Sequence, residues 1–268
     1  MSGNTKALRV RIKSVNSTMQ LTKAMGLVAS SKIRRANETM LHARQYISAM
    51  EKSISRITSS EECLKSPYMR VSDNNRTRII VIAGDRGMAG GYNANVFRLC
   101  KTFDDAEFIT IGKRACERFG KVINSSEHYT FADSYDLADI LCNDFLAEKY
   151  DKLGIIYTKY NSVMSQEAQI KWILPLERQE NTTQTGIIFE PDQITVLNTA
   201  VREYVAGILT GLIRESFASE VSARRMAMDS AGKNAKQMIS DLQLEYNRAR
   251  QGAITQEITE IVAGSGNL

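Results

Sequence analysis

The amino-terminal part of the chain alternates apolar and polar positions with a period of about 3.5 residues. Apolar or small residues recur in steps of four and three, and Thr22 is the polar member of the series. These positions are Leu8, Ile12, Val15, Met19, Thr22, Gly26, Ala29, Ile33, Ala36, Met40, Ala43, Ile47, Met50, Ile54 and Ile57. A seven-residue repeat held this long is typical of a helix that coils around a partner helix rather than lying on a globular core.

The helix predicted by this repeat is long, because no proline precedes Pro67. We expect it to cover residues 1–58 as a rod of about 55 residues, roughly 80 Å at 1.5 Å per residue. Its apolar seam has to be buried, so a partner helix is required.

After a polar connector, the pattern changes to alternating short strands and helices over residues 76–190. The continuous β-branched run from Arg78 to Ala83 is typical of a strand covered on both faces, as in a parallel sheet. The alternation predicts a Rossmann-like α/β domain with a mostly parallel sheet. Further strands are expected at 107–111, 128–131, 152–160 and 169–174, and helices at about 93–102, 112–122 and 137–150.

The carboxyl-terminal part, about residues 193–262, contains no proline after Pro191 and is the predicted partner helix. Since the α/β domain is inserted between the two long helices, they should form an antiparallel coiled coil. The second helix is the longer and should extend alone by about 20 Å, so its apolar tip is expected to lie inside another protein. Its predicted stripe comprises Val201, Tyr204, Ile208, Leu212, Met228, Ala231, Ala235, Met238 and Leu242.

A glycine-rich turn from Gly84 to Asn93 follows the first strand and precedes a helix. Such a turn can cradle a phosphate on its backbone N–H groups. Its GxxGxxGG spacing lacks the GxGxxG order of a dinucleotide site and the lysine of a P-loop. The spacing therefore favours a structural tight turn, and a nucleotide-binding α/β enzyme is an alternative that lacks an accompanying catalytic dyad or metal cluster.

Charge is unevenly placed along the 268 residues, whose formal net charge is +5. Residues 1–58 hold eleven lysines and arginines against two glutamates, Glu38 and Glu51. A basic helix can meet nucleic acid or an acidic protein surface, although a solvated face is the commonest interpretation. A nucleic-acid-binding basic coiled coil is thus a second alternative, but no dimerising basic region accompanies it.

Other features exclude several classes of protein. No uninterrupted apolar run reaches 18 residues, and the first residues resemble neither a signal nor a transit peptide. His42 and His128 are isolated, and the cysteines have no CxxC or metal spacing. We therefore expect buried free thiols rather than disulfides or metal ligands. The cysteines are Cys63, Cys100, Cys116 and Cys142.

Three motifs, in this order along nearly the whole chain, resemble the gamma subunit of bacterial F-type ATP synthases, the central shaft of a rotary motor. The second of them is the glycine-rich turn itself. The motifs are Leu21-Thr22-Lys23-Ala24-Met25 with Val28-Ala29-Ser30-Ser31-Lys32, Gly84-Asp85-Arg86-Gly87 with Gly90-Gly91-Tyr92-Asn93, and Leu242-Gln243-Leu244-Glu245-Tyr246-Asn247-Arg248-Ala249-Arg250-Gln251 with Ile254-Thr255-Gln256-Glu257.

The resemblance implies a non-catalytic rotor subunit with no catalytic residue, cofactor or metal. Its coiled coil would sit inside the hexamer of alpha and beta subunits, and its α/β domain would rest on the membrane c-ring with the epsilon subunit. The location would be peripheral, on the cytoplasmic side of a bacterial cell membrane. No nucleic acid and no small-molecule substrate is implied as a partner.

The resemblance also implies which residues meet which partner. Arg250 and Gln251 would contact an acidic loop of the beta subunit, with Met25 in the same region. At the other end, Phe189, Glu190 and Asp192 would contact the membrane ring.

Overall fold

The computed structural model describes residues 3–72, 74, 76–120, 125–178 and 189–265. In this part of the chain, two long helices flank a four-stranded sheet with three shorter helices. The helices are α1 (Gly3–Thr58), α2 (Tyr92–Cys100), α3 (Lys113–Phe119), α4 (Phe131–Leu146) and α5 (Gln193–Ser265), and the strands are β1 (Thr77–Ile82), β2 (Glu107–Ile111), β3 (Lys152–Tyr160) and β4 (Gln166–Leu174).

The chain folds as two compact units. The smaller unit consists of Met1–Ala29 and Arg225–Leu268, and the larger unit of Ser30–Arg224. Both long helices contribute a segment to each unit.

In the larger unit, α1 packs closely on α5 because two glycines of α5 face large side chains of α1. A Cβ atom on Gly207 would lie 2.6 Å from Cε1 of Tyr46, and one on Gly211 would lie 2.3 Å from Cδ1 of Ile47. Toward the start of α5, the Gln193 amide donates to the Ile57 carbonyl at 2.9 Å. Residue numbers fall on one helix as they rise on the other, so the predicted antiparallel pairing is confirmed in this unit.

In the smaller unit, the same two helices pair along the seam predicted for α1. A Cβ atom on Gly26 would lie 3.6 Å from Cβ of Met228, and nearer the amino terminus Arg9 donates to the Tyr246 hydroxyl at 3.0 Å. The polar seam residue Thr22 is buried, and its hydroxyl donates to the Met19 carbonyl of its own helix at 2.9 Å. This internal bond lets a threonine occupy an apolar seam without an unpaired group.

Every one of the predicted seam positions of α1 is buried or half-buried. The stripe predicted for α5 needs one correction, because Met238 is 46% exposed whereas its neighbour Ile239 is 9% exposed. The buried series there runs Ala235, Ile239 and Leu242. The prediction stepped three residues from Ala235 to Met238 and then four residues to Leu242. The helix instead steps four residues to Ile239 and then three to Leu242, which also fits a seven-residue repeat.

The sheet has the strand order β2-β1-β3-β4, in which β1 runs parallel to β2 and β3, and β4 runs antiparallel to β3. The mostly parallel sheet is therefore confirmed. Ile80 and Ile82 of β1 face one apolar cluster while Ile79 and Val81 face the other, as expected for a strand covered on both sides.

The expected strand at residues 128–131 is wrong. Thr130 is instead the N-cap of α4, where its hydroxyl accepts from the Asp133 N–H at 3.2 Å and the Asp133 carboxylate accepts from the Thr130 N–H at 2.8 Å. This capping box starts the helix at Phe131 rather than at the predicted Leu137. The reciprocal bonds satisfy two N–H groups of the helix start, which outweighs the strand propensity of the aromatic residues.

The apolar part of α5 forms the centre of the main core. Leu197, Val201 and Ile208 are fully buried in one cluster with Ile80 of the sheet and Leu141 of α4. In the part of the chain that the structure describes, α5 is the one helix with an 18-residue window apolar enough to cross a membrane, and 61% of that window is buried inside the protein. The four cysteines are buried and form no disulfide, as predicted.

The seam generates a stability prediction. Ala36 is 5% exposed and packs with Met40 against Ala218 of α5. Ala36→Asp should lower the free energy of unfolding by several kcal/mol, because it buries an unpaired carboxylate. Chemical denaturation of the purified chain measures this.

The matched control is Ala49→Asp, the same substitution at an exposed position of α1. It should change the free energy of unfolding by roughly 0.5 kcal/mol or less. Equal effects of the two substitutions would show that the seam register is wrong.

Candidate functional site

The glycine-rich turn that joins β1 to α2 is fixed at both of its ends. The Gly84 N–H donates to Oδ1 of Asn93 at 3.0 Å, which closes the turn on itself. The hydroxyl of buried Tyr92 donates to the Ser216 carbonyl of α5 at 3.1 Å. Gly90 has φ +58°, a left-handed conformation that glycine adopts without strain. The turn is therefore a structural element docked on α5.

A buried carboxylate, that of Glu220 on α5, lies in the hollow of this turn. A Cβ atom on Gly84 would be 2.7 Å from Oε1 of Glu220, so a larger residue there would have to displace the carboxylate. Arg224 donates to the same oxygen at 2.5 Å and to the Gly87 carbonyl at 3.3 Å. Burial, together with the nearby charge of Asp85, raises the pKa of Glu220 above its usual range, although Arg224 and the Arg86 N–H act in the opposite direction.

This arrangement bears directly on the nucleotide-binding alternative. A phosphate held by such a turn needs free backbone N–H groups and a positive environment. Here the Glu220 side chain supplies a carboxylate at that place, and the Arg86 N–H already interacts with it. Like charges repel strongly at this degree of burial, so the geometry favours the structural interpretation of the turn.

The Asp85 side chain connects the turn to two other segments. Its Oδ1 accepts from the N–H groups of Lys113 at 3.1 Å and Ser126 at 2.9 Å. Its Oδ2 accepts from the Glu127 N–H at 3.0 Å and the Ser125 hydroxyl at 2.5 Å. Burial alone would raise the pKa of Asp85, but these four hydrogen bonds hold it below its usual range.

The same stretch of α5 also binds the end of β3. The Ser216 hydroxyl accepts from the Thr158 N–H, and the Ser219 hydroxyl donates to the Thr158 carbonyl, both at 3.0 Å. Glu215 accepts from the Tyr160 N–H at 3.0 Å. We call the five α5 residues that hold the sheet and the turn the polar joint: Glu215, Ser216, Ser219, Glu220 and Arg224.

The polar joint also reaches α1. Arg44 donates to Oε1 of Glu215 at 2.7 Å and to the Tyr160 carbonyl at 2.6 Å. The hydrogen bond to Glu215 raises the pKa of Arg44, because it favours the charged guanidinium. One helix face thus fastens α1, the sheet and the glycine-rich turn together.

Sequence reasoning missed the polar joint. Glu220 and Arg224 are four residues apart, a spacing usually found on solvated helix faces. The available signal was Gly84, whose missing side chain at the end of a buried strand indicates a close approach.

The predicted contact residues for the beta subunit lie in the smaller unit. Arg250 and Gln251 are exposed on α5, and Met25 is half-buried on α1. The structure does not bring Met25 near Arg250. Met25 adjoins Gly26, which faces Met228, and Met228 lies roughly 33 Å from Arg250 along α5 at 1.5 Å per residue.

The predicted contact residues for the membrane ring lie together at the start of α5, in different environments. Phe189 packs on the main core, and Glu190 is exposed. Asp192 accepts from the Thr195 N–H at 2.9 Å and hydroxyl at 2.7 Å, bonds that lower its pKa. Asp192 is thus already bound as a helix cap, and Glu190 is the side chain most available to a partner.

Exposed apolar side chains cover the smaller unit. Every side chain from Ile254 to Ala263 is exposed, as expected for the unpaired tip. The outer face of α1, which the sequence did not single out, carries Leu27 at 72% and Leu21 at 59% exposure. The large exposed apolar residues of this unit are Val10, Leu21, Leu27, Val28, Met238, Leu244, Ile254, Ile258, Ile261 and Val262. Such a surface is typical of a helix pair that other proteins enclose.

Comparison with known proteins gives consistent matches. The family model described as ATP synthase matches residues 4–268. The ATP synthase gamma chain of Ruminococcus albus is 41% identical, and the alignment covers 98% of both chains. The "ATP synthase gamma chain, sodium ion specific" of Acetobacterium woodii is 37% identical, with 99% of both chains covered.

Solved structures show the same fold at lower sequence identity. A chain in the Euglena gracilis mitochondrial ATP synthase (OSCP/F1/c-ring) is 18% identical, with a TM-score of 0.68, and the match covers 97% of this chain and 93% of that one. A chain in the Tetrahymena thermophila central stalk and c-ring structure has a TM-score of 0.64 at 18% identity, with 79% and 99% covered.

The site generates a prediction about Gly84. Gly84→Ala should lower the free energy of unfolding by about 1–3 kcal/mol, because the new methyl group displaces the Glu220 carboxylate from Arg224. Thermal or chemical denaturation measures the loss. Glu220→Gln is the partner variant of a double-mutant cycle, and the two effects should be non-additive since both disturb one contact.

The control substitution is Gly252→Ala, where nothing lies within 4 Å of the added Cβ atom. It lies within α5 and should raise stability by up to about 1 kcal/mol. Additive effects of Gly84→Ala and Glu220→Gln would contradict the proposed contact.

Proposed function

This chain belongs to the ATP synthase gamma-chain family, and on that premise we propose that it is the central rotor shaft of an F-type ATP synthase. In this role it couples ion flow through the membrane ring to conformational change in the alpha/beta hexamer, where ATP is made or hydrolysed. The chain itself performs no bond chemistry.

The observation that carries the proposal is the apolar outer surface of the smaller unit. Leu27 and Val28 are more than half exposed on the outer face of α1, where the helix pair has already filled its seam. Ile258 and Ile261 are more than half exposed on the unpaired tip of α5. An exposed apolar surface of this kind is stable in water only when other proteins cover it. A hexamer surrounding this pair supplies that cover.

The mechanism follows from the difference between the faces of such a helix pair. One shaft in a threefold ring presents a different surface to each beta subunit at any moment. Each surface favours a different conformation of the subunit it touches, so rotation changes nucleotide affinity at each site in turn. The polar joint keeps the shaft helices fixed to the sheet while torque passes between them.

The proposed organisation assigns one part of the chain to each partner. Residues 1–58 and 193–262 form the coiled coil within the alpha and beta subunits. Residues 76–190 form the α/β domain, which meets the epsilon subunit and the membrane c-ring. The complex is peripheral to the cytoplasmic side of a bacterial cell membrane.

Individual contacts are proposed at the two ends. Arg250 and Gln251 face an acidic loop of the beta subunit, and Met25 meets the hexamer at a separate level. Glu190 contacts the membrane ring, while Phe189 and Asp192 shape the segment that presents it.

The prediction that tests this function concerns Arg250. Arg250→Ala should weaken retention of the chain in a complex reconstituted with alpha and beta subunits, since a desolvated arginine–carboxylate pairing is worth roughly 2–5 kcal/mol. Subunit retention on gel filtration and the ATP hydrolysis rate of the complex measure the effect.

The matched control is Arg118→Ala, which removes another exposed arginine from α3 in the larger unit. It should leave retention and hydrolysis unchanged. Wild-type behaviour of the Arg250 variant would remove this residue from the coupling contact, and failure of the wild-type chain to assemble at all would overturn the function.

A further inference from the structure

A groove of about 570 Å³ lies in the larger unit between α1, α5 and the segment that precedes α4. Lys32 and Arg35 of α1, His128 of the segment and Arg214 of α5 line it, with Phe217 as an apolar wall. The lining includes a single acidic side chain, that of Glu127. The groove is therefore basic, with one carboxylate of the chain itself inside it.

Glu127 is held there by two cations. It forms an ion pair with Lys32 and a longer one with Arg86, whose Nη2 atom lies 3.6 Å from Oε2. The Lys32 hydrogen bond, together with the charges of Lys32, Arg86 and His128, keeps the pKa of Glu127 below its usual range against the effect of burial. Its backbone is fixed independently, since the Glu127 N–H donates to Asp85. The carboxylate thus stays charged and stays in the groove.

Two other cations of the groove, Arg214 and Arg35, have N–H donors available for a partner. Arg214 donates one hydrogen bond, to the Tyr129 carbonyl at 2.9 Å. The Arg35 guanidinium is exposed and pairs with no carboxylate among the described residues. A guanidinium offers five N–H donors suited to carboxylates.

We propose that Glu127 is an internal occupant of this groove, and that an acidic segment of a partner protein displaces it on docking. The Glu127 carboxylate marks where a partner's carboxylate would bind, between Lys32 and Arg86. Because the internal group must leave first, it weakens docking and makes the contact reversible. This inference rests on the proposed function, in which other proteins surround the chain.

An acidic peptide fits the groove better than a nucleic acid does. The group already bound there is a carboxylate, and the wall formed by Phe217 is half-buried rather than open for base stacking. Nucleic-acid binding would also need cations spaced along a backbone, whereas Lys32 and Arg86 both pair with the one carboxylate of Glu127.

The experiment uses the full chain and a fluorescein-labelled octa-glutamate peptide, followed by fluorescence anisotropy at low ionic strength. Glu127→Gln should tighten binding roughly three- to tenfold, the range expected when one partly exposed competing charge is removed. Arg35→Gln should weaken binding, and because Arg35 has no carboxylate partner in the described structure its loss leaves the fold intact. Added salt should reduce both effects.

The matched control is Glu38→Gln, which makes the same change in net charge on an exposed part of α1 outside the groove. Equal tightening by Glu38→Gln and Glu127→Gln would overturn the proposal, as would an Arg35→Gln variant with wild-type affinity. Tighter binding of an oligothymidylate of equal length would contradict the choice of partner. Assembly of the wild-type chain with alpha and beta subunits is scored separately, so failure of this inference is distinguishable from failure of the proposed function.

Discussion

The structure depends on buried carboxylates on one face of a long helix. Glu215 and Glu220 are about 5% or less exposed, a position that is strongly unfavourable for a charge without partners. Each has them: Arg44 and the Tyr160 N–H for Glu215, and Arg224 with the glycine-rich turn for Glu220. The partners of Glu215 come from α1 and the sheet, so the cost of burying its charge is offset only when both are assembled on α5. Arg224, the partner of Glu220, lies on α5 itself and also donates to the Gly87 carbonyl, so this pair holds the turn on the helix.

This constraint explains the glycine-rich motif without a nucleotide. A side chain at Gly84 would occupy the place of the Glu220 carboxylate, whose nearest oxygen would lie 2.7 Å from the added Cβ atom. Asp85 lies in this turn, and its carboxylate accepts hydrogen bonds from the Ser126 and Glu127 N–H groups. These bonds fix the segment that carries Glu127. The polar joint holds the glycine-rich turn on α5, and the turn in turn holds one wall of the basic groove through Asp85.

Periodic features were predictable from the sequence, and partner-dependent features were not. The seam of α1 and the strand at residues 107–111 follow from local spacing and propensity, which act before tertiary contacts. The start of α4 was also readable, from Thr130 and Asp133, but aromatic strand propensity hid the capping box. The polar joint could not be predicted, because a glutamate four residues before an arginine looks the same on a solvated face as on a buried one. The exposed outer face of α1, which includes Leu27, was hidden for a similar reason, since exposure depends on partners that the sequence of one chain does not contain.

The most direct test of the rotor function is to observe rotation of the chain within the assembled complex. The native cysteines are buried, so Lys101→Cys on the exposed surface after α2 gives a single accessible site for a rotating probe. The complex with alpha and beta subunits is immobilised through the hexamer and supplied with ATP. The account predicts rotation of the probe in one direction, with pauses at threefold-related positions. Sustained ATP hydrolysis by the assembled complex with a stationary probe would contradict it.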